Sequence, residues 1–129
     1  MNGWDPAAVE LLNLLASTAR GPKREGLYAL WLTLRVTQDL LLVPPLPERA
    51  HRRRLQALES RLSSLTIPPP LRRALTAALL QLREAQPEAV PMILSTLAAP
   101  AKDGAGPEAG EALARAARAA RLLVAPGAR

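Results

Sequence analysis

The sequence predicts an all-α fold, a compact bundle of five to six short helices with a central apolar second helix. The 129 residues hold no Phe, one Tyr and two Trp, so Leu and Ala must fill the core, and both are strong helix formers. Thirteen prolines fall mostly where helical patterns begin or end. The length suits one domain with its own core, in which alanines let neighbouring helices approach closely.

The first two helices are separated by a Gly-Pro pair. Asp5 precedes a proline at the first helical position, which predicts a helix over 6–20. The second helix is expected over 24–43 and is apolar on most sides, as a central bundle helix would be. Its charged residues Arg35 and Asp39 would each cost about 2.5–3.5 kcal/mol at the centre of a bilayer. We therefore interpret this segment as a core helix with no role in a membrane, and the two charges as a solvated i,i+4 pair.

Two Leu-rich segments predict the next pair of helices. The third helix is expected over 47–65, with Leu residues on one narrow stripe, and the fourth over 71–85. The linker 66–70 contains three consecutive prolines and cannot be helical through its middle. A short linker favours neighbouring helices that run in opposite directions, so we expect an antiparallel hairpin.

The C-terminal third predicts two further helices joined by a loop. A short fifth helix is expected over 88–99, with a first turn distorted by Pro91 and an end at Pro100. Residues 100–107 are small, polar and Gly-rich, which predicts a flexible loop. The last helix is expected to end at residue 124, the limit of the predicted single domain 1–124. Residues 125–129 form a frayed tail in this interpretation.

The positive charge of the chain is concentrated between residues 49 and 73. Seven arginines and one acid give this stretch the whole net charge of +6, and the remainder is neutral. Several of these arginines lie near predicted helix N-termini, where the macrodipole disfavours cations by about 0.3–1 kcal/mol each. A charge cluster that opposes helix stability favours a role in binding a nucleic acid or an acidic partner. The candidate residues are Arg49, Arg52, Arg53, Arg54, Arg61, Arg72 and Arg73. The alternative is a solvated face in a chain that uses 15 Arg and two Lys.

Two weaker candidates lie outside that stretch. Arg115, Arg118 and Arg121 repeat every third residue and fan over one side of the last helix, which makes them a possible secondary basic face. Trp4 and Trp31 are the only Trp side chains, so they are candidates for a protein interface. Our interpretation places Trp31 mainly in the core and Trp4 next to the first helix.

Catalytic and metal chemistry find no support in the sequence. The single histidine, His51, is in register with the Leu stripe of the third helix, so we expect it to bond Glu48 or a backbone carbonyl. No second histidine, cysteine or paired carboxylate occurs at metal-ligand spacing, and no Gly-rich phosphate loop follows a strand. We expect a protein that is not an enzyme and uses no cofactor, metal or small-molecule substrate.

These observations lead to two functional hypotheses. The first is a small basic helical subunit of a larger complex that contacts a nucleic-acid backbone, DNA or RNA, without reading its sequence, because base-stacking aromatics are scarce. Such a subunit is similar in kind to the small subunits of CRISPR effector complexes, an analogy of fold that rests on no shared motif. The second is an assembly adaptor whose apolar helix faces dock a partner or a second copy while its arginines meet an acidic surface. A cytoplasmic location is the default expectation for either.

Overall fold

The computed structural model describes residues 5–84 and 86–124, and all of their regular structure is helical. The elements are α1 (Asp5–Ser17), α2 (Pro22–Asp39), α3 (Glu48–Ser63), α4 (Pro69–Glu84), α5 (Val90–Ala105) and α6 (Pro107–Val124), with a 3-10 turn at Pro87–Ala89 before α5. The predicted all-α bundle of six helices is confirmed. The predicted tail at 125–129 and the residue Trp4 lie outside the described residues.

The predicted loop at 100–107 is wrong, because α5 continues through Pro100 to Ala105. Proline removes one helical hydrogen bond and crowds the preceding turn, so a helix that passes through it must be held by packing. That packing is present: Ala101, Gly104 and Ala105 are buried beyond the proline. Pro91 has little effect, since it lies in the first turn of α5, where its missing N–H group has no helical acceptor.

Helices α2 and α5 together form the centre of the bundle. α2 contacts α1, α3, α4 and α5, and α5 contacts α2, α4 and α6. Leu27, Leu30 and Leu34 of α2 are fully buried, which confirms the predicted central position of this helix. The two buried hydroxyls of α2, on Thr33 and Thr37, each donate a 2.8 Å hydrogen bond to a carbonyl four residues earlier, so they need no partner from another helix.

A close contact at two glycines joins three helices. A Cβ atom built on Gly26 of α2 would lie 2.7 Å from the carbonyl oxygen of Gly104 on α5, and one built on Gly104 would lie 2.9 Å from the Cβ of Leu71 on α4. Real Cβ contacts are essentially never that short. The expected close spacing of helices is therefore met here by glycine at the tightest contact and by alanine along α5 and α6.

Helix α3 runs antiparallel to both of its neighbours. Against α2, Arg54 near the start of α3 pairs with Asp39 at the end of α2, and the backbone N–H of Thr66 donates to Glu25 Oε1 near the start of α2, 3.1 Å away. Against α4, Arg72 in the first turn of α4 reaches the carbonyls that end α3. The predicted α3–α4 hairpin is present. None of the described helices has the length and apolarity that crossing a bilayer requires.

Candidate functional site

Three of the seven arginines between 49 and 73 are already engaged inside the molecule. Arg52 pairs with Glu48 one turn earlier, at 2.5 Å, and both side chains are mostly exposed. Arg54 pairs with Asp39, whose side chain is only 12% exposed. Arg72 is half-buried and donates to the backbone carbonyls of Leu62 and Leu65. Leu62 lies in the last turn of α3 and also accepts the N–H of Leu65 at 3.2 Å, and Leu65 follows the end of the helix, so Arg72 acts as a C-terminal cap.

The other four arginines of this stretch are exposed and form no ion pair or hydrogen bond with a described residue: Arg49, Arg53, Arg61 and Arg73. Arg61 borders a groove between α2 and α3, and Arg73 lies on α4. The charge cluster of the sequence therefore divides into three arginines with partners inside the molecule and four without a partner among the described residues.

The groove between α2 and α3 brings together arginines from both helices and a tryptophan. It has a volume of about 260 Å³ and an open mouth. Its floor is aliphatic, and its charged residues are Arg35 of α2 with Arg54 and Arg61 of α3. No carboxylate borders it, and Arg54 is paired with Asp39 of α2. The guanidinium groups of Arg35 and Arg61 have no acidic partner among the described residues, and over an apolar floor they can bind an anion with a flat apolar portion.

The two aromatic side chains of the described chain form a row with an arginine on the exposed side of α2. The rings of Tyr28 and Trp31 are stacked, with centroids 6.4 Å apart and planes inclined by 16°. The guanidinium carbon of Arg35 lies 5.4 Å from the Trp31 ring centroid, in cation–π geometry. Trp31 is half-buried: it packs against the hydrophobic core, as predicted, and the rest of its ring borders the groove.

A second cavity, of about 460 Å³, lies toward the start of α2 and is lined by Tyr28, whose ring stacks on Trp31 at the edge of the groove. It adds Arg20 and Arg24, and its one acid, Glu25, accepts the hydrogen bond from Thr66. Along α2, Arg24 and Arg35 are separated by about 16 Å at 1.5 Å per residue. We call the combined surface the basic groove; its residues are Arg20, Arg24, Tyr28, Trp31, Arg35, Arg54 and Arg61.

Sequence reasoning missed four residues of the basic groove: Arg20, Arg24, Tyr28 and Arg35. A signal for them exists, because residues 24, 28, 31 and 35 are spaced 4-3-4 and therefore share one helix face. That polar and aromatic stripe is hidden in the sequence by the many Leu residues between its members. The expected Arg35–Asp39 pair is not formed: each residue takes another partner, Trp31 for the arginine and Arg54 for the acid.

The three arginines of α6 have mostly structural partners. Arg115 pairs with Glu10 of α1, and this ion pair joins α6 to α1. Arg115 also pairs with Glu111 of its own helix at 3.7 Å. Arg121 donates to Ser95 Oγ of α5 at 3.3 Å. Only Arg118 is exposed without a partner among the described residues. The secondary basic face is thus largely used to hold α6 in place.

His51 takes the structural role expected of it. Its Nε2 lies 2.9 Å from the carbonyl oxygen of Leu82, and the side chain is half-buried between α3 and α4. The cavity beside it, about 640 Å³, also contains Glu59, but that carboxylate is paired with Arg83 at 2.9 Å. Within residues 5–84 and 86–124, no three His, Cys, Asp or Glu side chains gather closely enough to hold a metal ion.

Comparison with known proteins leaves the basic groove as the main guide to function. The chain matches no protein-family model, and no curated protein or solved structure is significantly similar to it.

Proposed function

We propose that this protein is a non-enzymatic cytoplasmic subunit that binds the phosphate backbone of a nucleic acid along the basic groove. The observation that carries the proposal is the convergence of Arg35, Arg54 and Arg61 from two helices on the section of the basic groove between α2 and α3, which no acid borders. A guanidinium group binds a phosphate through two parallel hydrogen bonds, so arginine suits this task better than lysine. A row of such groups fits an extended polyanion.

The length of the groove supports an extended ligand. With Arg20 and Arg24 at one end and Arg54 at the other, charged groups are distributed along most of α2 instead of around one point. A small anion would be held by two or three of them and would leave the rest unused. A nucleic-acid backbone places a phosphate at regular short intervals and can meet several of them in turn.

The proposal is tested with two matched double variants. Arg35→Gln with Arg61→Gln removes two charges from the basic groove, and Arg73→Gln with Arg118→Gln removes two exposed charges outside it. Binding of labelled DNA and RNA oligonucleotides is followed by fluorescence anisotropy across a salt series. Wild type should bind with a log–log salt slope of about −3.6 on duplex or about −2.8 on single strands if four phosphates are neutralised. In the groove variant the salt slope should become less steep by about 2, and binding should weaken at least tenfold. The control variant should show much smaller changes in both slope and affinity.

Two outcomes contradict the proposal in different ways. Equal losses in the two variants would mean that net charge attracts the nucleic acid without a defined site. Absence of salt-sensitive binding by wild type would remove the nucleic-acid function altogether. The consecutive residues Arg52, Arg53 and Arg54 are a less informative target, because two of the three are ion-paired.

A second candidate function, assembly, is favoured by one separate observation. Val9 and Leu12 on the outer side of α1 are 56% and 47% exposed and lie three residues apart on one helix face. An adaptor that docks a partner or a second copy would bury such a pair. Sedimentation analysis tests self-association. A wild-type dimer that becomes a monomer when both residues are changed to serine supports it. A wild-type monomer at high concentration argues against a second copy of the chain as the partner of this face.

A further inference from the structure

We infer that the ligand of the basic groove is single-stranded and that one of its bases stacks on the Trp31 ring. The inference rests on the proposed nucleic-acid function and adds the class of ligand. It follows from the position of the aromatic pair: Tyr28 and Trp31, the only aromatic residues of the described chain, both lie in the basic groove. Both side chains are only half-buried, so part of each ring is accessible at the surface.

Aromatic side chains beside arginines match the chemistry of unpaired nucleotides. Every base has a flat π face, and proteins that bind single strands hold successive bases on aromatic side chains while cations follow the backbone. In a duplex these faces are covered by neighbouring bases, so an aromatic ring at the protein surface gains no stacking partner. The section of the groove beside Trp31 has a volume of about 260 Å³, which has room for one planar base between α2 and α3.

Arg35 supplies a way to open the stacking site. In the free protein its guanidinium carbon lies 5.4 Å from the Trp31 ring centroid and covers part of one face. An exposed cation–π contact is weaker than a bidentate Arg–phosphate bond. When a phosphate approaches, Arg35 can turn from the ring to the phosphate, and the face it leaves becomes available to the adjoining base. One movement thus provides both a charge contact and a stacking surface.

The stacking mode and a pure backbone mode predict opposite preferences. If the arginines alone bind, the duplex is the better ligand, because its charge density is higher and its salt slope steeper, about −0.9 per phosphate against about −0.7 for single strands. If Trp31 stacks on a base, the single strand gains a contact that the duplex cannot make. A preference for single strands by this basic protein would therefore report the aromatic contribution.

The experiment uses the full chain and an oligodeoxythymidine of about 20 nucleotides, its RNA counterpart, and the same DNA annealed to its complement. A Trp4→Phe variant leaves Trp31 as the only tryptophan. We expect its fluorescence to be quenched by the single strands and little changed by the duplex. Trp31→Leu should weaken single-strand binding about fivefold to a hundredfold and leave duplex binding nearly unchanged, whereas Trp31→Phe should retain most of the affinity.

The outcomes separate the two proposals. Salt-sensitive binding that is equally strong for duplex, with Trp31 fluorescence unchanged by every ligand, overturns the stacking inference and leaves the backbone function standing. Absence of any salt-sensitive binding overturns both. Because Trp31 is half-buried, circular dichroism must show that Trp31→Leu is folded; the quenching measurement in Trp4→Phe keeps the native Trp31 and decides the question if that variant unfolds.

Discussion

The imidazole of His51, in the first turn of α3, lies 2.9 Å from the carbonyl oxygen of Leu82, close to the end of α4. A carbonyl can only accept, so Nε2 carries the proton in this contact. Leu82 belongs to the last turn of α4, whose carbonyls have no helical donor. One side chain therefore satisfies a helix end and joins the two ends of the α3–α4 hairpin.

We predict that His51→Leu destabilises the protein through the loss of this bond. A hydrogen bond of this kind contributes about 1 kcal/mol, and an unsatisfied carbonyl adds to the cost. Thermal unfolding should show a melting temperature lower by about 4 °C. His51→Gln, whose amide can donate to the same carbonyl, is the control and should lose less. Equal stability of wild type and His51→Leu would show that water replaces the imidazole at no cost.

Adjacent arginines at the start of α4 should behave differently. Arg72→Ala removes the cap on the Leu62 and Leu65 carbonyls and should lower the free energy of unfolding by about 1–3 kcal/mol. Arg73→Ala removes an exposed side chain and should change it by less than about 0.5 kcal/mol. Urea denaturation measures both. Arg72 and Arg73 are adjacent and carry the same charge, so equal effects of the two substitutions would contradict a specific capping role for Arg72.

Gly26→Ala should destabilise the bundle even though alanine is the better helix former. The added Cβ would meet the Gly104 carbonyl oxygen at 2.7 Å, and this neighbour is backbone that cannot turn away. Overpacking of this kind costs about 1–3 kcal/mol, more than the roughly 1 kcal/mol that alanine gains in an open helix. Ala77→Gly on the exposed side of α4 calibrates the helix-propensity term in this protein. A stabilised Gly26→Ala variant would mean that α2 and α5 are not in such close contact.

Pro100→Ala should stabilise α5. The substitution restores the backbone N–H that Pro100 lacks in the middle of the helix and removes the ring that crowds the preceding turn, an effect worth up to about 3 kcal/mol. The greater freedom of alanine in the unfolded chain reduces the gain by somewhat less than 1 kcal/mol. Denaturant titration gives the net change. A loss of stability would show instead that the half-buried proline ring contributes more by packing than it costs in hydrogen bonding.

The sequence predicts the helices better than it predicts how they are used. Pro107 marks a helix start correctly, because its fixed φ angle and missing N–H suit the first turn; α2 likewise begins at Pro22, two residues earlier than predicted. Pro100 is misleading for a tertiary reason. The residues after it are small enough to pack against α4 and α6, and that burial carries the helix past the proline.

The basic groove shows why charge along the chain is a poor guide to charge on a surface. Arg52, Arg53 and Arg54 are consecutive, and a helix turns each one 100° from the last, so they point to different sides. Arg35 and Arg61 are 26 residues apart and border one groove only because α2 packs against α3. Helix register locates such residues within one element, but the pairing of elements needs the fold.

The two contacts that fasten α3 to α2, Arg54 with Asp39 and Thr66 with Glu25, lie near opposite ends of the groove. They set the distance between its walls before any ligand arrives. Binding then requires little ordering of the backbone, because the conformational entropy of the helices that form the groove is already lost when the protein folds. A polyanion guided by the surrounding positive field would meet a groove whose backbone is already in place, so that, apart from the rotation of the Arg35 side chain, diffusion and orientation would limit its association rate.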